Sequence, residues 1–193
     1  YLGSMKHLRL FIVSTLLIVT TALPAVAEKL SLNALSNYLN ALSTAQGDFT
    51  QINDDGTIST GTIYIKRPGR IRFEYNPPER TLVLASAGAV AIFDPKTAQG
   101  PETYPLNKTP LSIILAKQVN LSQARMVVGH SYDGKATTVT AQDPSHPEYG
   151  NIQLKFTADP VQLRQWIIND DSGSSTTVVL GDLRNGVALR DSF

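Results

Sequence analysis

The sequence predicts a mainly β protein of the α+β class: an antiparallel meander with an N-terminal helix and one short apolar helix inserted between strands. Three observations point there. Residues 61–75 alternate apolar and polar on either side of a Pro68-Gly69 turn, and successive strand side chains point to opposite faces. Leu30, Leu32, Leu35, Leu39 and Leu42 recur at helical spacing. Most of the remaining chain breaks into short β-forming runs separated by Gly, Asp, Asn and Pro, the pattern of strands joined by tight turns.

The first helix is expected to begin at Ser31 as its cap and to stop by Gly47. Its leucine stripe is backed by Asn33, Ser36, Asn37 and Asn40, so it should pack on a sheet with those polar groups outward. Strands are then expected at 49–52, 58–66, 70–75, 81–85 and 90–93, with turns at 53–56, 86–88 and 94–95. A second series follows at 125–132, 135–142, 151–157, 162–168 and 174–180. Asp133-Gly134 is among its stronger hairpin signals. Between the two series, 108–116 reads as a short helix with Thr109 as N-cap and Pro110 at its first position. Leu111, Ile113, Ile114 and Leu115 make much of its circumference apolar. It either plugs one face of an open sheet or moves as a lid over an apolar cavity.

The start of the chain reads as a leader rather than as fold. Met5 looks like the natural start, after an expression remnant at residues 1–4. Lys6 and Arg9 precede an apolar run from Leu10 to Leu23, and Ala25-Val26-Ala27 offers a small-x-small cleavage site. A membrane anchor or a buried helix is the alternative, but the run is short for a span. Cleavage after Ala27 leaves residues 28–193 as one domain's worth of chain. Removing Lys6 and Arg9 from the 17 basic residues leaves 15 against 16 acidic ones, a net charge of about −1. Nothing in that balance calls for nucleic acid or an anionic membrane as partner. There are no cysteines, so neither disulfides nor a lipidated cysteine are available, and a soluble protein outside the cytoplasm is expected.

Catalytic and metal chemistry find little support. Beyond His7 in the leader, the histidines are His130 in a strand and His146 in a turn beside Pro144 and Pro147. That makes a poor zinc set. Gly-x-Ser-x-Gly and phosphate-loop patterns are absent, and Ser172 to Ser175 reads as a hairpin turn. Asp54-Asp55 and Asp170-Asp171 precede turn glycines without completing a calcium loop. No catalytic residue, metal or cofactor is assigned, and an enzyme is not expected.

Arg67 stands out instead. Alternation puts Ile63, Ile65 and Arg67 on one face of the hairpin, with Thr62, Tyr64 and Lys66 opposite. Ile71, Phe73 and Tyr75 likewise oppose Arg70, Arg72 and Glu74. A guanidinium at the rim of an apolar face must find acceptors or reach water. It is either an ordinary rim arginine of the hairpin or a group with a specific partner.

Several of these pieces together resemble the LolA family of periplasmic outer-membrane lipoprotein carriers. They are the leader, the first helix, Phe49-Thr-Gln51 leading to Lys66-Arg67-Pro68, Arg72 to Tyr75, Asn76 to Pro78, Val90 to Pro95, and Thr109-Pro110. The likeness runs in order along nearly all of residues 28–193. It implies a single strongly curved antiparallel sheet, an incomplete β-barrel, with the N-terminal helix and a short lid helix covering an apolar concavity. It further implies a periplasmic carrier of acylated lipoproteins, loaded by an inner-membrane lipoprotein-releasing ABC transporter and unloading at an outer-membrane receptor or the membrane. A monomer is expected.

By motif, Arg67 corresponds to the family's lid latch, which hydrogen-bonds lid backbone groups. The acyl-chain lining expected from alternation is Ile63, Ile65, Ile71, Phe73 and Tyr75, with Leu111, Ile114 and Leu115 from the lid; as plain core they would pack no differently. Trp166 could belong to core or cavity wall. The chain departs from the family in stopping soon after Leu189, where many members continue, which leaves the recipient open. The outer-membrane receptor of similar fold is itself lipidated, and a chain without cysteine does not match it. A lipid-binding or sensor module of the same fold is the alternative function, and a secreted hydrolase a more distant one.

Overall fold

A computed structural model describes residues 28–192. The expected remnant and leader, together residues 1–27, lie outside the described residues. The chain begins with helix α1 (Leu32–Ala41), whose first turn is capped as the sequence predicts: the Ala34 amide donates to Ser31 Oγ at 3.1 Å. Leu35 and Leu39 are buried on one side of it. It ends earlier than expected, with Leu42 as the C-terminal cap.

Six strands follow: β1 (Thr44–Ile52), β2 (Ile58–Lys66), β3 (Arg70–Tyr75), β4 (Leu82–Ser86), β5 (Ala89–Phe93) and β6 (Glu102–Pro105). A 3-10 turn (Leu106–Lys108) leads into helix α2 (Leu111–Leu115). The second series is β7 (Val127–Tyr132), β8 (Ala136–Gln142), β9 (Asn151–Thr157), β10 (Gln162–Asn169), β11 (Ser175–Leu180) and β12 (Arg184–Asn185). All pair antiparallel in one open, curved sheet ordered β6-β5-β4-β3-β2-β1-β11-β10-β9-β8-β7, with β12 alongside β1. The edges are β6 and β7, and the segment carrying α2 runs between them in sequence.

Three expectations need correction. Gly47 does not stop α1 but lies inside β1, which starts at Thr44 and pairs along its whole length with β2. Its small size serves a close approach: a Cβ there would meet Leu183 Cδ2 at 3.0 Å and Asp182 O at 3.1 Å. Thr109 does not cap α2. Pro110 takes the cap position with no side chain accepting from the first amides of the helix, and the Thr109 hydroxyl donates back to Leu106 O at 2.9 Å. Strands β6 and β12 were not expected. The exposed residues of β6 carry no alternation signal, and the two residues of β12 are too few to show one.

The inward faces of the strands and the two helices meet in a single apolar cluster. It joins Leu35, Leu39 and Leu42 to Phe49, Ile152, Leu154, Phe156 and Trp166, among others. Tyr38 of α1 sits edge-on to Phe156 of β9, ring centres 5.7 Å apart. Gly61 lets β3 and the Phe49 ring approach β2 closely, since a Cβ there would fall 2.1 Å from Glu74 O and 2.8 Å from Phe49 Cε1. Among the described residues, no helix is long and apolar enough to cross a membrane.

Candidate functional site

The β2–β3 hairpin builds one end of the site. Its register sets Ile63 opposite Phe73 and Ile65 opposite Ile71 on the inner face, and Tyr64 opposite Arg72 and Lys66 opposite Arg70 on the outer. The turn between them needs Gly69, whose φ of +72° is a conformation other residues adopt at a cost. That turn points at both helices. The Gly69 amide donates to Leu115 O at the end of α2 at 2.8 Å, and the Arg67 amide to Ser43 O just beyond α1, also at 2.8 Å.

The Arg67 side chain completes the junction. Nη1 donates to Leu39 O in the last turn of α1, and Nη2 donates to Ala116 O, one residue past α2, at 2.6 Å. A longer contact of 3.5 Å reaches Asn40 Oδ1. Leu39 O otherwise has only a 3.3 Å bond from the Leu42 amide, and carbonyls at a helix C-terminus carry the negative end of the helix dipole. One planar fork therefore serves acceptors on α1 and beside α2, a bridge that a single ammonium could not make in the same geometry. Burial lowers the Arg67 pKa from the ordinary arginine value, as desolvation of a cation requires. The charge survives because carbonyl oxygens replace the lost water.

Each expected lining residue faces the same interior. Ile63, Ile65, Ile71 and Phe73 are buried, as are Leu111, Ile114 and Leu115 of α2. Tyr75 is half-buried at the edge of the cluster, its hydroxyl donating to Gln51 Oε1 at 2.6 Å. Burial pushes its pKa up to about 12. An aromatic chain crosses the interior: Tyr75 and Phe73 both meet Phe49 edge-on, at 5.1 and 5.4 Å, and Phe73 meets Trp166 at 6.3 Å. Trp166, undecided from sequence, is inward and 1% exposed, opposite Leu154 and Val178. Phe49, Leu35 and Leu39 complete the same surface. The alternation of β1 around Phe49 and the leucine stripe of α1 were the signals for them.

The polar candidates are engaged in structural contacts, one long-range and the others within their own loops. His130 Nε2 lies 2.8 Å from Leu30 O. His146 stacks on Tyr149 and contacts Glu148 at 2.8 Å in an exposed loop. Asp170 accepts from Ser172 and Ser174 within its own turn, and Asp55 from Thr57. Among the described residues, no group of three or more His, Cys, Asp or Glu is placed to hold a metal. An interior of aliphatic and aromatic groups can do one thing well, which is to remove hydrocarbon from water.

Such a scaffold is an incomplete β-barrel, one open antiparallel sheet with a helix-covered apolar interior. The chain belongs to the LolA family: residues 40–193 match the family described as outer membrane lipoprotein carrier protein LolA. An outer-membrane lipoprotein carrier protein of Azotobacter vinelandii is 32% identical over 192 residues, covering 94% of this chain and 91% of that one. A protein of the same description from Methylococcus capsulatus is 25% identical over 171 residues, covering 84% and 81%. Among solved structures, a LolA superfamily protein from Nitrosomonas europaea aligns with 84% of this chain and 96% of its own at 12% identity and a TM-score of 0.44.

Proposed function

We propose that this protein carries acylated lipoproteins through the periplasm, from the inner membrane towards the outer membrane, with their acyl chains held inside the half-barrel. The carrying observation is the Arg67 fork, which ties Leu39 of α1 and Ala116 after α2 to one hairpin turn across an otherwise apolar interior. Its family membership supports the same reading. Lipoprotein acyl chains are insoluble in an aqueous compartment, and each methylene removed from water contributes about 0.8 kcal/mol. Affinity is therefore easy to obtain and release is the harder problem.

In this reading Arg67 is the latch that makes release possible. Cargo needs the helical cover displaced, so the hydrogen bonds of the closed form oppose binding by population shift. Ile63, Ile65, Ile71, Phe73, Tyr75, Leu111, Ile114 and Leu115 would then exchange contacts with one another for contacts with acyl chains. Residues 5–27 act as the export leader and are removed by cleavage after Ala27. Loading comes from an inner-membrane ABC transporter, unloading takes place at an outer-membrane receptor or the membrane, and the carrier works as a monomer without catalysis.

Native mass spectrometry of the mature chain tests this, with a triacylated lipoprotein supplied from inner-membrane vesicles and ATP. A one-to-one complex that requires the acyl chains is expected. A co-purified free lipid, with no lipoprotein complex, overturns it.

A further inference from the structure

The chain that follows α2 raises a problem of its own. Residues 116–121 form neither helix nor strand, yet Val119 and Leu121 are buried at 3% and 0% exposure. Backbone groups drawn this close to a core must find partners, and they find them on α1. The Val119 amide donates to Asn40 Oδ1 at 2.8 Å while Asn40 Nδ2 donates back to Val119 O at 2.9 Å. The Leu121 amide donates to Ser36 Oγ at 3.0 Å. The Ser36 hydroxyl proton is already committed to Leu32 O at 2.7 Å, so the oxygen is left to accept.

The geometry fits without adjustment. Ser36 and Asn40 are one helical turn apart, a rise of about 6 Å. Val119 and Leu121, two residues apart, can reach at most about 6.6 Å along the chain, enough to meet both side chains. A primary amide offers one donor and one acceptor side by side, so Asn40 pairs with both polar groups of Val119 much as a neighbouring strand residue would. The strap thus runs antiparallel to α1, held at two points by side chains that a binary reading of the helix assigns to its solvent face.

We propose that Asn40 is a second latch, a positioning residue that clamps the strap 116–121 to α1 in the closed form. The inference rests on the carrier reading above. Gly69 and Arg67 hold the end of α2 from the hairpin, and Leu106 N, bonded to Gly88 O at 2.9 Å, holds the segment before it. Releasing the hairpin bonds alone frees α2 between Leu106 and Val119, whereas full opening also lifts the strap and breaks its bonds to Asn40 and Ser36, so those bonds oppose opening. Losing Asn40 instead frees the strap itself, so the cover opens more readily. Asn40 Oδ1 also meets Arg67 Nη2 at 3.5 Å, which puts both latches at one junction.

The test uses the mature chain, amide hydrogen exchange and a synthetic triacylated lipopeptide as probe. In Asn40→Ala, exchange at Val119 is expected to rise about tenfold or more and the lipopeptide to bind about 3- to 10-fold tighter, on the scale of one or two net hydrogen bonds. A residue that only supports the fold would weaken binding when removed, so the gain is diagnostic. In Arg67→Leu the probe should also bind tighter while Val119 and Leu121 keep their protection. Tighter binding in Arg67→Leu but not in Asn40→Ala overturns the second latch alone. No tightening in Arg67→Leu overturns the latch reading and the inference with it. Should Asn40→Ala fail to fold, Asn40→Leu, which keeps the side-chain volume, removes both donor and acceptor and adds no charge beside Arg67, carries the same comparison.

Discussion

Arg67 and Ala116 lie 49 positions apart in the chain and are joined by a 2.6 Å hydrogen bond from guanidinium to carbonyl. The same guanidinium bonds Leu39 of α1. Replacing Arg67 by Leu leaves both carbonyls without that donor. The cargo-free protein is expected to lose about 1–3 kcal/mol of stability, read from denaturant midpoints, and to retain a triacylated lipopeptide more tightly. Arg67→Lys should restore little of either, because one ammonium cannot match the fork. Full recovery by lysine would mean that charge, not geometry, holds the helices.

Gly61 and Gly69 make opposite demands. At Gly61 a methyl group would sit 2.1 Å from the Glu74 carbonyl, with backbone rather than a movable side chain in the way. Gly61→Ala is expected to cost more than about 2 kcal/mol, as overpacking of a closed site does. At Gly69 nothing lies within 4 Å and only the positive φ resists substitution, so Gly69→Ala should cost about 1–2 kcal/mol. Equal effects in thermal unfolding would refute the distinction.

Lys66 and Asp191 govern how the end of the described chain lies on the outer face of the hairpin. Lys66 Nζ meets Asp191 Oδ1 at 2.8 Å and donates to Leu189 O at 3.2 Å. Its hydrogen bond, then its charge, lowers the Asp191 pKa below the ordinary 3.8. A depressed carboxylate contributes its docking energy above the ordinary value and loses it as pH falls through the lowered one. The Lys66–Asp191 contact should therefore hold at neutral pH and be lost in strong acid, and weaken at high salt because the carboxylate is exposed. An NMR titration of Asp191 checks this. If Lys66→Gln leaves that titration unmoved, the contact does not form in solution.

Trp166 is the sole tryptophan and reports directly on the interior. Its emission should be blue-shifted and poorly quenched by acrylamide in the cargo-free protein. Trp166→Ala is expected to cost about 3–5 kcal/mol through the cavity it leaves. Trp166→Phe should cost far less: Nε1 is buried without a hydrogen-bond partner among the described residues, and phenylalanine removes a donor that goes unpaired. If both changes cost the same, the ring contributes little to packing.

Much of this protein follows from local rules that need no knowledge of the third dimension. Period-two alternation placed β2, β3 and β9 to the residue, because each strand has one face on the apolar interior and one toward water. The same rule set Arg67 apart as a cation on an apolar face, and Ser31 was legible as a cap because its bond spans three residues. Long-range partners were not legible. Nothing near Arg67 names Leu39 or Ala116 as its acceptors, and β6 and β12 exist only because a neighbouring strand pairs with them. Asn40 and Ser36 show the limit most clearly. A polar residue on the back of a helix reads as solvated until folding brings a strap of unpaired backbone beside it, and burial then makes that side chain its hydrogen-bond partner.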